Sequence, residues 1–174
     1  MNYHLIKTDD MLNGSGLRVV LYLSGCYHGC CGCHNPETWD CNSGVKFDSA
    51  AKEEVFDKLN KDYISGITLS GGDPLHDNNL DEVYALICEI KDKFPTKTIW
   101  LYTGYEWEDI FTEWVTDKNQ GLRRKIIKSC DVLVEGRYVA ELADVNYPWA
   151  GSTNQRVVDI NKSLEEGKVV LWLG

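Results

Sequence analysis

The chain has 174 residues, enough for one domain with its own hydrophobic core, and 43% of them are hydrophobic. Its formal net charge of −9 argues against nucleic-acid binding as a main function, because an acidic surface repels phosphate backbones. No stretch approaches the roughly 20 apolar residues of a membrane span, and residues 1–7 lack the basic-then-apolar layout of a signal peptide. We therefore expect a cytoplasmic protein with no membrane partner.

Short apolar strands alternate with amphipathic helices along the chain. The pattern predicts strands over residues 17–23, 66–70, 98–102 and 132–134, and helices over 49–59, 79–94 and 122–130. A late strand over 169–173 is a further prediction, and no helix is predicted beyond residue 137. This order is typical of an α/β fold with a parallel sheet and helices packed on it, in a single domain.

Glycine and polar residues follow the predicted strands at the points where the strands end. The segments concerned are residues 24–26, 71–73, 103–104 and 135–137. In parallel sheets the chemistry lies at the carboxyl ends of the strands. The sequence therefore predicts an active site at this edge of the sheet.

Four of the seven cysteines lie within eight residues, and three of them have the spacing C-x3-C-x2-C: Cys26, Cys30 and Cys33. This spacing would also suit one face of a helix. The interleaved glycines at positions 25, 29 and 32 each disfavour a helix by about 1 kcal/mol, so we predict a loop. Clustered thiols in a reducing compartment are typical of metal ligands.

Two kinds of metal centre fit these thiols, an iron–sulfur cluster and zinc. Three thiolates would leave one iron of a [4Fe–4S] cluster open to a substrate. A zinc site would need a fourth ligand, which Cys31, His28 or His34 could supply, and the spacing alone leaves this alternative open. The cysteines at positions 88 and 130 lie in apolar surroundings and are expected to be buried, and Cys41 has no assigned role.

The segment from Cys26 to Cys33 resembles the signature of the radical S-adenosylmethionine (SAM) superfamily. Further segments resemble the anaerobic ribonucleotide reductase activating proteins, among them N-G-S-G-L-R at 13–18 and L-S-G-G-D-P-L at 69–75, with others at 35–39, 103–105, 131–137 and 151–155. The resemblance covers about residues 1–156. The chain departs from the family pattern at Ser15, Cys31, His34, Glu135 and Arg137, none of which is an expected cluster ligand.

The resemblance implies a truncated, incomplete radical SAM β/α barrel over residues 1–174, with 157–174 as a less regular C-terminal extension. It implies a [4Fe–4S] cluster held by Cys26, Cys30 and Cys33, which would also be the catalytic residues. It further implies a set of residues that bind SAM: Gly32, Cys33, His34, Gly71, Gly72, Asp73, Glu135 and Arg137. From the residues alone, Gly71-Gly72-Asp73 could equally be a strand-to-helix turn, Glu135 and Arg137 a surface ion pair, and His76 a surface residue.

The same resemblance implies an activity and its partners. The cluster would cleave SAM reductively to a 5′-deoxyadenosyl radical, which would abstract hydrogen from a glycine of the large anaerobic ribonucleoside-triphosphate reductase. A flavodoxin-like protein would donate the electron, and the chain would form a homodimer or a complex with the reductase. Two alternatives remain: another radical SAM enzyme, of the pyruvate formate-lyase activase type or acting on a small molecule, and a zinc-binding interaction module.

Overall fold

A seven-stranded mixed sheet organises the fold of the computed structural model, which describes residues 1–112 and 117–174. The strands are β1 (Asn2–Asp10), β2 (Leu17–Leu23), β3 (Val45–Lys46), β4 (Ile64–Gly71), β5 (Thr98–Tyr102), β6 (Val132–Glu135) and β7 (Arg156–Asp159). The helices are α1 (Ser49–Leu59), α2 (Leu80–Lys93), α3 (Trp107–Phe111), α4 (Gln120–Lys128) and α5 (Ile160–Glu166). Short 3-10 helices cover Pro36–Thr38 and Ala140–Leu142.

The sheet has the strand order β3-β1-β2-β4-β5-β6-β7. The four central strands, β2, β4, β5 and β6, are parallel, as predicted. The outer strands β1, β3 and β7 pair antiparallel, which the prediction of a parallel sheet did not include. The fold is thus α/β with an all-parallel centre, which brings the carboxyl ends of four strands to one edge.

Side-chain alternation gives the sheet two different faces. Leu21, Leu69, Leu101 and Leu133 are register neighbours across the four central strands, and all four are fully buried in the main hydrophobic core with helices α1, α2 and α4. Because successive side chains of a strand point to opposite faces, the next residue along β4 and β5 faces the other way. These residues, Ser70 and Tyr102, line a cavity instead.

The helix bounds follow the capping and breaking signals in the sequence. Asp48 is the N-cap of α1, where its side chain accepts a hydrogen bond from the backbone nitrogen of Ala51 at 3.0 Å. Helix α2 ends immediately before Phe94 and Pro95, as its predicted stop requires. The predicted helices over 49–59, 79–94 and 122–130 are therefore confirmed, with shifts of one or two residues at the ends of the last two.

The C-terminal part departs from the prediction. Strand β7 and helix α5 cover residues 156–166, for which neither a strand nor a helix was predicted. Asp159 is the N-cap of α5, where its side chain accepts a hydrogen bond from the backbone nitrogen of Lys162. The predicted strand over 169–173 is wrong: Leu171 makes only an isolated bridge to Val158. A strand of four residues, such as β7, is too short to show a clear alternation of apolar and polar residues. It forms because it pairs with β6.

Two predictions of burial are also wrong. Cys88 is exposed on α2, whereas Cys130 is buried as expected. His76, expected at the surface, is only 3% exposed. Its ring stacks against Tyr27 with 4.0 Å between centroids, and its Nδ1 accepts from the nitrogen of Asn78.

Arg18, on strand β2, is a fully buried cation. Its guanidinium donates to the carbonyl oxygens of Ile67 and Thr98 at 2.7 and 2.8 Å, and its Nε donates to Thr68 Oγ1 at 2.8 Å. Thr68 Oγ1 in turn donates to the carbonyl oxygen of Asn13. Burial lowers the pKa of Arg18 to about 10, which leaves it charged at neutral pH. Arg18 thus joins β2, β4 and β5 and holds the loop between β1 and β2.

In the part of the chain that the structure describes, no helix combines the length and the apolar character needed to cross a membrane.

Candidate functional site

A cavity of about 600 Å³ opens at the carboxyl ends of the central strands. Its wall includes Cys26, Cys30 and Cys33 from the loop after β2, residues 70–73 from the end of β4, and residues 102–104 from the end of β5. It continues along the sheet to residues 11–13 of the β1–β2 loop. This cavity therefore lies at the edge of the sheet where the sequence predicts an active site.

The three predicted ligand cysteines lie together on the wall of this cavity. All three are free thiols of intermediate burial, in a segment with neither helix nor strand. Gly29 and Gly32 have φ angles of 56° and 71°, which side-chain-bearing residues rarely adopt. The glycines therefore permit the loop, and the helical alternative is wrong. The neighbouring thiol of Cys31 is exposed and does not line the cavity.

Three free thiols on one wall are suitable ligands for an iron–sulfur cluster. Among residues 1–112 and 117–174, no three His, Cys, Asp or Glu side chains converge on a point where one ion could sit. A zinc ion needs four ligands at about 2.0–2.3 Å, whereas the thiolates of a [4Fe–4S] cluster each bind a different iron and stand apart. Burial raises the pKa of Cys26 to about 11, so its thiol must lose a proton when it binds a metal.

The Gly71–Gly72 loop packs directly against the backbone that leads into the cysteine loop. Gly72 donates to the carbonyl oxygen of Leu23, and Asp73 donates to that of Gly25, both at 2.7 Å. A Cβ atom on Gly72 would stand 2.5 Å from the Gly25 oxygen, and Gly71 has a φ of +96°. The resemblance places these glycines among the SAM-binding residues. They line the cavity, but the close approach that requires glycine is to protein backbone.

Asp73 joins three strand ends through its carboxylate, whose side chain is 2% exposed. Its Oδ1 accepts from the nitrogen of Leu75 at 2.8 Å and from Thr103 Oγ1 at 3.0 Å. Its Oδ2 accepts from Thr103 Oγ1, from the nitrogen of Gly104 at 3.1 Å and, at 2.7 Å, contacts His28 Nε2. Sequence reasoning did not identify His28 or Thr103 as partners of Asp73, because they are 45 and 30 residues away.

Arg137 and His34 also line the cavity, as predicted for ligand-binding residues. His34 packs against Tyr138 with 4.8 Å between ring centroids. Gly32 is exposed and outside the wall, and a Cβ on it would stand 3.5 Å from Tyr138 and Ala140. The structure therefore brings these residues together at one side of the cysteine loop.

Glu135 lies apart from the cavity wall. It is 1% exposed, accepts from the backbone nitrogen of Trp107, and pairs with Arg156. Burial raises the pKa of Glu135, and Arg156 also pairs with Glu108 on α3. The alternative reading, a surface ion pair between Glu135 and Arg137, is wrong, because Glu135 is buried and pairs with Arg156 of β7.

Residues 144–151, here called the strap, form another part of the wall that the sequence did not predict. The Gln155 side chain holds the strap: its Oε1 accepts from the nitrogen of Gly151 at 2.9 Å, and its Nε2 donates to the carbonyl oxygen of Gly136 at 2.9 Å. Tyr102 Oη donates to the carbonyl oxygen of Trp149 at 2.6 Å. The strap is thereby fixed to β5 and to the end of β6.

Comparisons with known proteins identify the family of this chain. A family model described as a 4Fe-4S single cluster domain matches residues 12–158. Three similar curated proteins bear the name anaerobic ribonucleoside-triphosphate reductase-activating protein. The one from Enterobacteria phage T4 is 41% identical over 157 residues, covering 90% of this chain and 93% of the relative. Those from Escherichia coli K12 and Vibrio cholerae are 38% and 40% identical, covering 90% and 89% of this chain and 97% and 96% of the relative.

The fold and the cysteine site thus define a 4Fe–4S single cluster domain protein. Within that class, the chain belongs to the family of anaerobic ribonucleoside-triphosphate reductase-activating proteins.

Proposed function

We propose that this protein activates an anaerobic ribonucleoside-triphosphate reductase by reductive cleavage of SAM at a [4Fe–4S] cluster. The observation that carries the proposal is the cavity in which three free thiols, Cys26, Cys30 and Cys33, share a wall with the Gly71–Gly72 loop. The name of the relatives supplies the reductase as the target.

When bound, the cluster supplies one electron to the SAM sulfonium, so that the C5′–S bond breaks into methionine and a 5′-deoxyadenosyl radical that takes a hydrogen atom from a glycine Cα of the reductase. The protein's own residues bind and enclose the reactants. Cys26, Cys30 and Cys33 would hold the cluster, and three thiolate ligands would leave one iron without a protein ligand.

In this proposal the amino acid part of SAM binds next to that iron. Gly71, Gly72 and Arg137 line the same cavity, and an arginine is suited to bind a carboxylate. Cys33 and His34 lie on the same wall, with Gly32 beside them. Asp73 also lines the cavity, but its carboxylate already accepts from four neighbouring donors and therefore supports the loops around it. The Glu135 carboxylate, apart from the wall, is likewise bound to Trp107 and Arg156.

An incomplete barrel, one domain over residues 1–174, fits this reading of the fold. Four parallel strands with antiparallel strands at both edges make an open sheet, and the cavity lies at the carboxyl ends of the parallel strands. Residues 157–174 complete the domain, because β7 pairs with β6 and α5 follows it. An open side gives a large substrate access to the radical.

Exposed apolar side chains on the cavity wall support a protein substrate. Met11, Leu12 and Val145 are 70%, 77% and 100% exposed, and all three line the cavity that holds the thiols. Apolar side chains that remain exposed beside a site are typical of a surface that a protein partner covers. In our proposal that partner is the glycine-bearing segment of the reductase, within a complex or with the activating protein as a homodimer.

The remaining parts of the proposal follow from the same chemistry. The protein acts in the cytoplasm, receives its electron from a flavodoxin-like donor, and needs neither nucleic acid nor a membrane.

Anaerobic reconstitution tests the proposal directly. The wild-type protein should hold about four irons and four sulfides per chain. With dithionite and SAM it should release 5′-deoxyadenosine, and with its cognate reductase it should produce the EPR doublet of a glycyl radical. Ala variants of Cys26, Cys30 and Cys33 should lose the cluster, while Cys31→Ala, in the same loop but exposed, is the matched control and should keep it.

Three outcomes would contradict the proposal in different ways. Zinc in place of iron and sulfide would favour the interaction module. SAM cleavage without a radical in the reductase would favour a small-molecule substrate or the pyruvate formate-lyase type of partner. Loss of the cluster in Cys31→Ala with retention in Cys33→Ala would mean that the ligand set is wrong.

A further inference from the structure

His28 stands in the middle of the first ligand interval, two residues from Cys26 and two from Cys30. Its side chain is turned into the protein and is only 6% exposed, in contrast to the adjacent Tyr27, which is 64% exposed. The Nε2 atom lies 2.7 Å from Oδ2 of Asp73, which follows the Gly71–Gly72 loop. One side chain therefore connects the cysteine loop to the glycine loop.

The strand ends form a niche that fits this ring. A Cβ atom on Gly104 would stand 2.4 Å from Cδ2 of His28, so only glycine leaves room for the imidazole. The Tyr105 ring meets His28 edge-on, with 4.8 Å between centroids, and Arg123 lies over the Tyr105 ring. Asp73 is itself held by Thr103 and by the nitrogen of Gly104. The position of the imidazole is thus determined by the ends of both β4 and β5.

The hydrogen bonds of the cysteine loop itself are few. Within the described residues, the His28–Asp73 pair is the only side-chain hydrogen bond that joins residues 26–33 to the strand ends. The backbone of Cys26 donates to the carbonyl oxygen of Trp39 at 3.0 Å, and that of Cys33 donates within the loop to Cys30. Gly29 has no neighbour within 4 Å of an added Cβ. His28, through its hydrogen bond to Asp73, and Tyr27, through its ring contact with His76, thus hold the stretch between Cys26 and Cys30 over the sheet.

We infer that His28 is a positioning residue. Through its hydrogen bond to Asp73 it fixes the position of residues 26–30 relative to the Gly71–Gly72 loop. This rests on the proposed function, in which the open iron and the glycine loop both bind the amino acid part of one SAM molecule. Without the hydrogen bond the three thiols would still bind iron. The cysteine loop, and with it the open iron, would no longer be held in a fixed position relative to the glycine loop. Loss of His28 therefore weakens SAM binding more than it lowers iron content.

The test compares His28→Leu with His28→Gln, whose amide can still donate to Asp73 from a similar reach. His4→Leu is the matched control, because His4 also makes a side-chain hydrogen bond, to Ser43 Oγ at 2.8 Å, away from the cavity wall. Reconstituted His28→Leu should keep most of its iron. Its dissociation constant for SAM, titrated by the change in the EPR spectrum of the reduced cluster, should rise about tenfold, as expected for one hydrogen bond to a charged group. His28→Gln and His4→Leu should stay within about threefold of wild type.

A second measurement needs neither cluster nor SAM. In metal-free protein, alkylation of Cys30 by iodoacetamide should be several times faster in His28→Leu than in wild type or His28→Gln, because the loop is released from Asp73. If His28→Leu does not fold, as judged by circular dichroism, His28→Asn replaces it, since its amide is too short to reach Asp73.

Unchanged SAM affinity and unchanged Cys30 alkylation in these variants would overturn the inference. Loss of iron as complete as in Cys26→Ala would overturn it too, because His28 would then be a ligand. Failure of the wild-type protein to cleave SAM would instead count against the proposed function, while the alkylation experiment would still decide the role of His28.

Discussion

Gly72 lies so close to Gly25 that a Cβ atom on Gly72 would stand 2.5 Å from the carbonyl oxygen of Gly25. That oxygen accepts the hydrogen bond from the nitrogen of Asp73, and the next residue after Gly25 is the first ligand cysteine. The glycine loop and the cysteine loop are therefore in direct backbone contact, and a change in one must move the other.

Gly72→Ala should consequently disturb the cysteine loop as well as the glycine loop. We expect the free energy of unfolding of the metal-free protein to fall by about 1–3 kcal/mol, as in other overpacked sites, and the iron content after reconstitution to fall with it. Urea denaturation and iron analysis measure the two effects. Gly121→Ala on α4 is the matched control, because an added Cβ there has no neighbour within 4 Å. Wild-type stability and iron content in Gly72→Ala would contradict the assigned contact.

Alkylation of Cys26 in the metal-free protein should depend steeply on pH. Burial raises the pKa of this thiol to about 11, so that at pH 8 only about one molecule in a thousand carries the reactive thiolate. The rate should rise about tenfold per pH unit from pH 8 to 10 and level off above pH 11. Iodoacetamide labelling followed by peptide mass spectrometry measures it, with the exposed Cys31 as the internal reference. Equal rates for the two cysteines at pH 8 would show that Cys26 is not buried in this way.

Leu12→Asp and Val145→Asp should separate partner binding from SAM cleavage. A carboxylate on the exposed apolar part of the cavity wall opposes burial under a protein partner, so the KM for the reductase should rise at least about tenfold. Release of 5′-deoxyadenosine without the reductase should stay within about twofold of wild type. Tyr63→Asp is the control, since Tyr63 is 60% exposed and does not line the cavity. An equal effect of all three changes would argue against this surface.

Arg18→Met should destabilise the protein without touching the cysteine loop. The change removes the fully buried guanidinium and its hydrogen bonds to Thr68 Oγ1 and to the carbonyl oxygens of Ile67 and Thr98. We expect a loss of about 3 kcal/mol or more in the free energy of unfolding. Thermal and urea denaturation measure the loss, and Lys46→Met, at an exposed position of β3, should remain within about 0.5 kcal/mol of wild type. A comparably stable Arg18→Met would mean that its hydrogen bonds contribute little.

The helices and strands that could be predicted from the sequence are those whose own residues show a clear capping signal or a clear apolar pattern. Helix α1 has a capping residue and an apolar face, and β2 is a run of buried apolar residues. Strand β1 alternates half-buried and exposed residues and pairs antiparallel with β2, and β7 has four residues that pair with β6. These edge strands exist because a neighbouring strand offers hydrogen bonds, and a single-sequence pattern does not contain that neighbour.

The sequence by itself determined the candidate cluster ligands and the family. The spacing of Cys26, Cys30 and Cys33 is local, and the glycines that shape the loop stand among them. Only the tertiary structure decided which polar groups meet: His28 with Asp73, 45 residues on, and Arg156 with Glu135, 21 residues back. These pairs join ends of different strands. Their contact depends on the pairing and twist of the sheet, and no spacing along the chain encodes it.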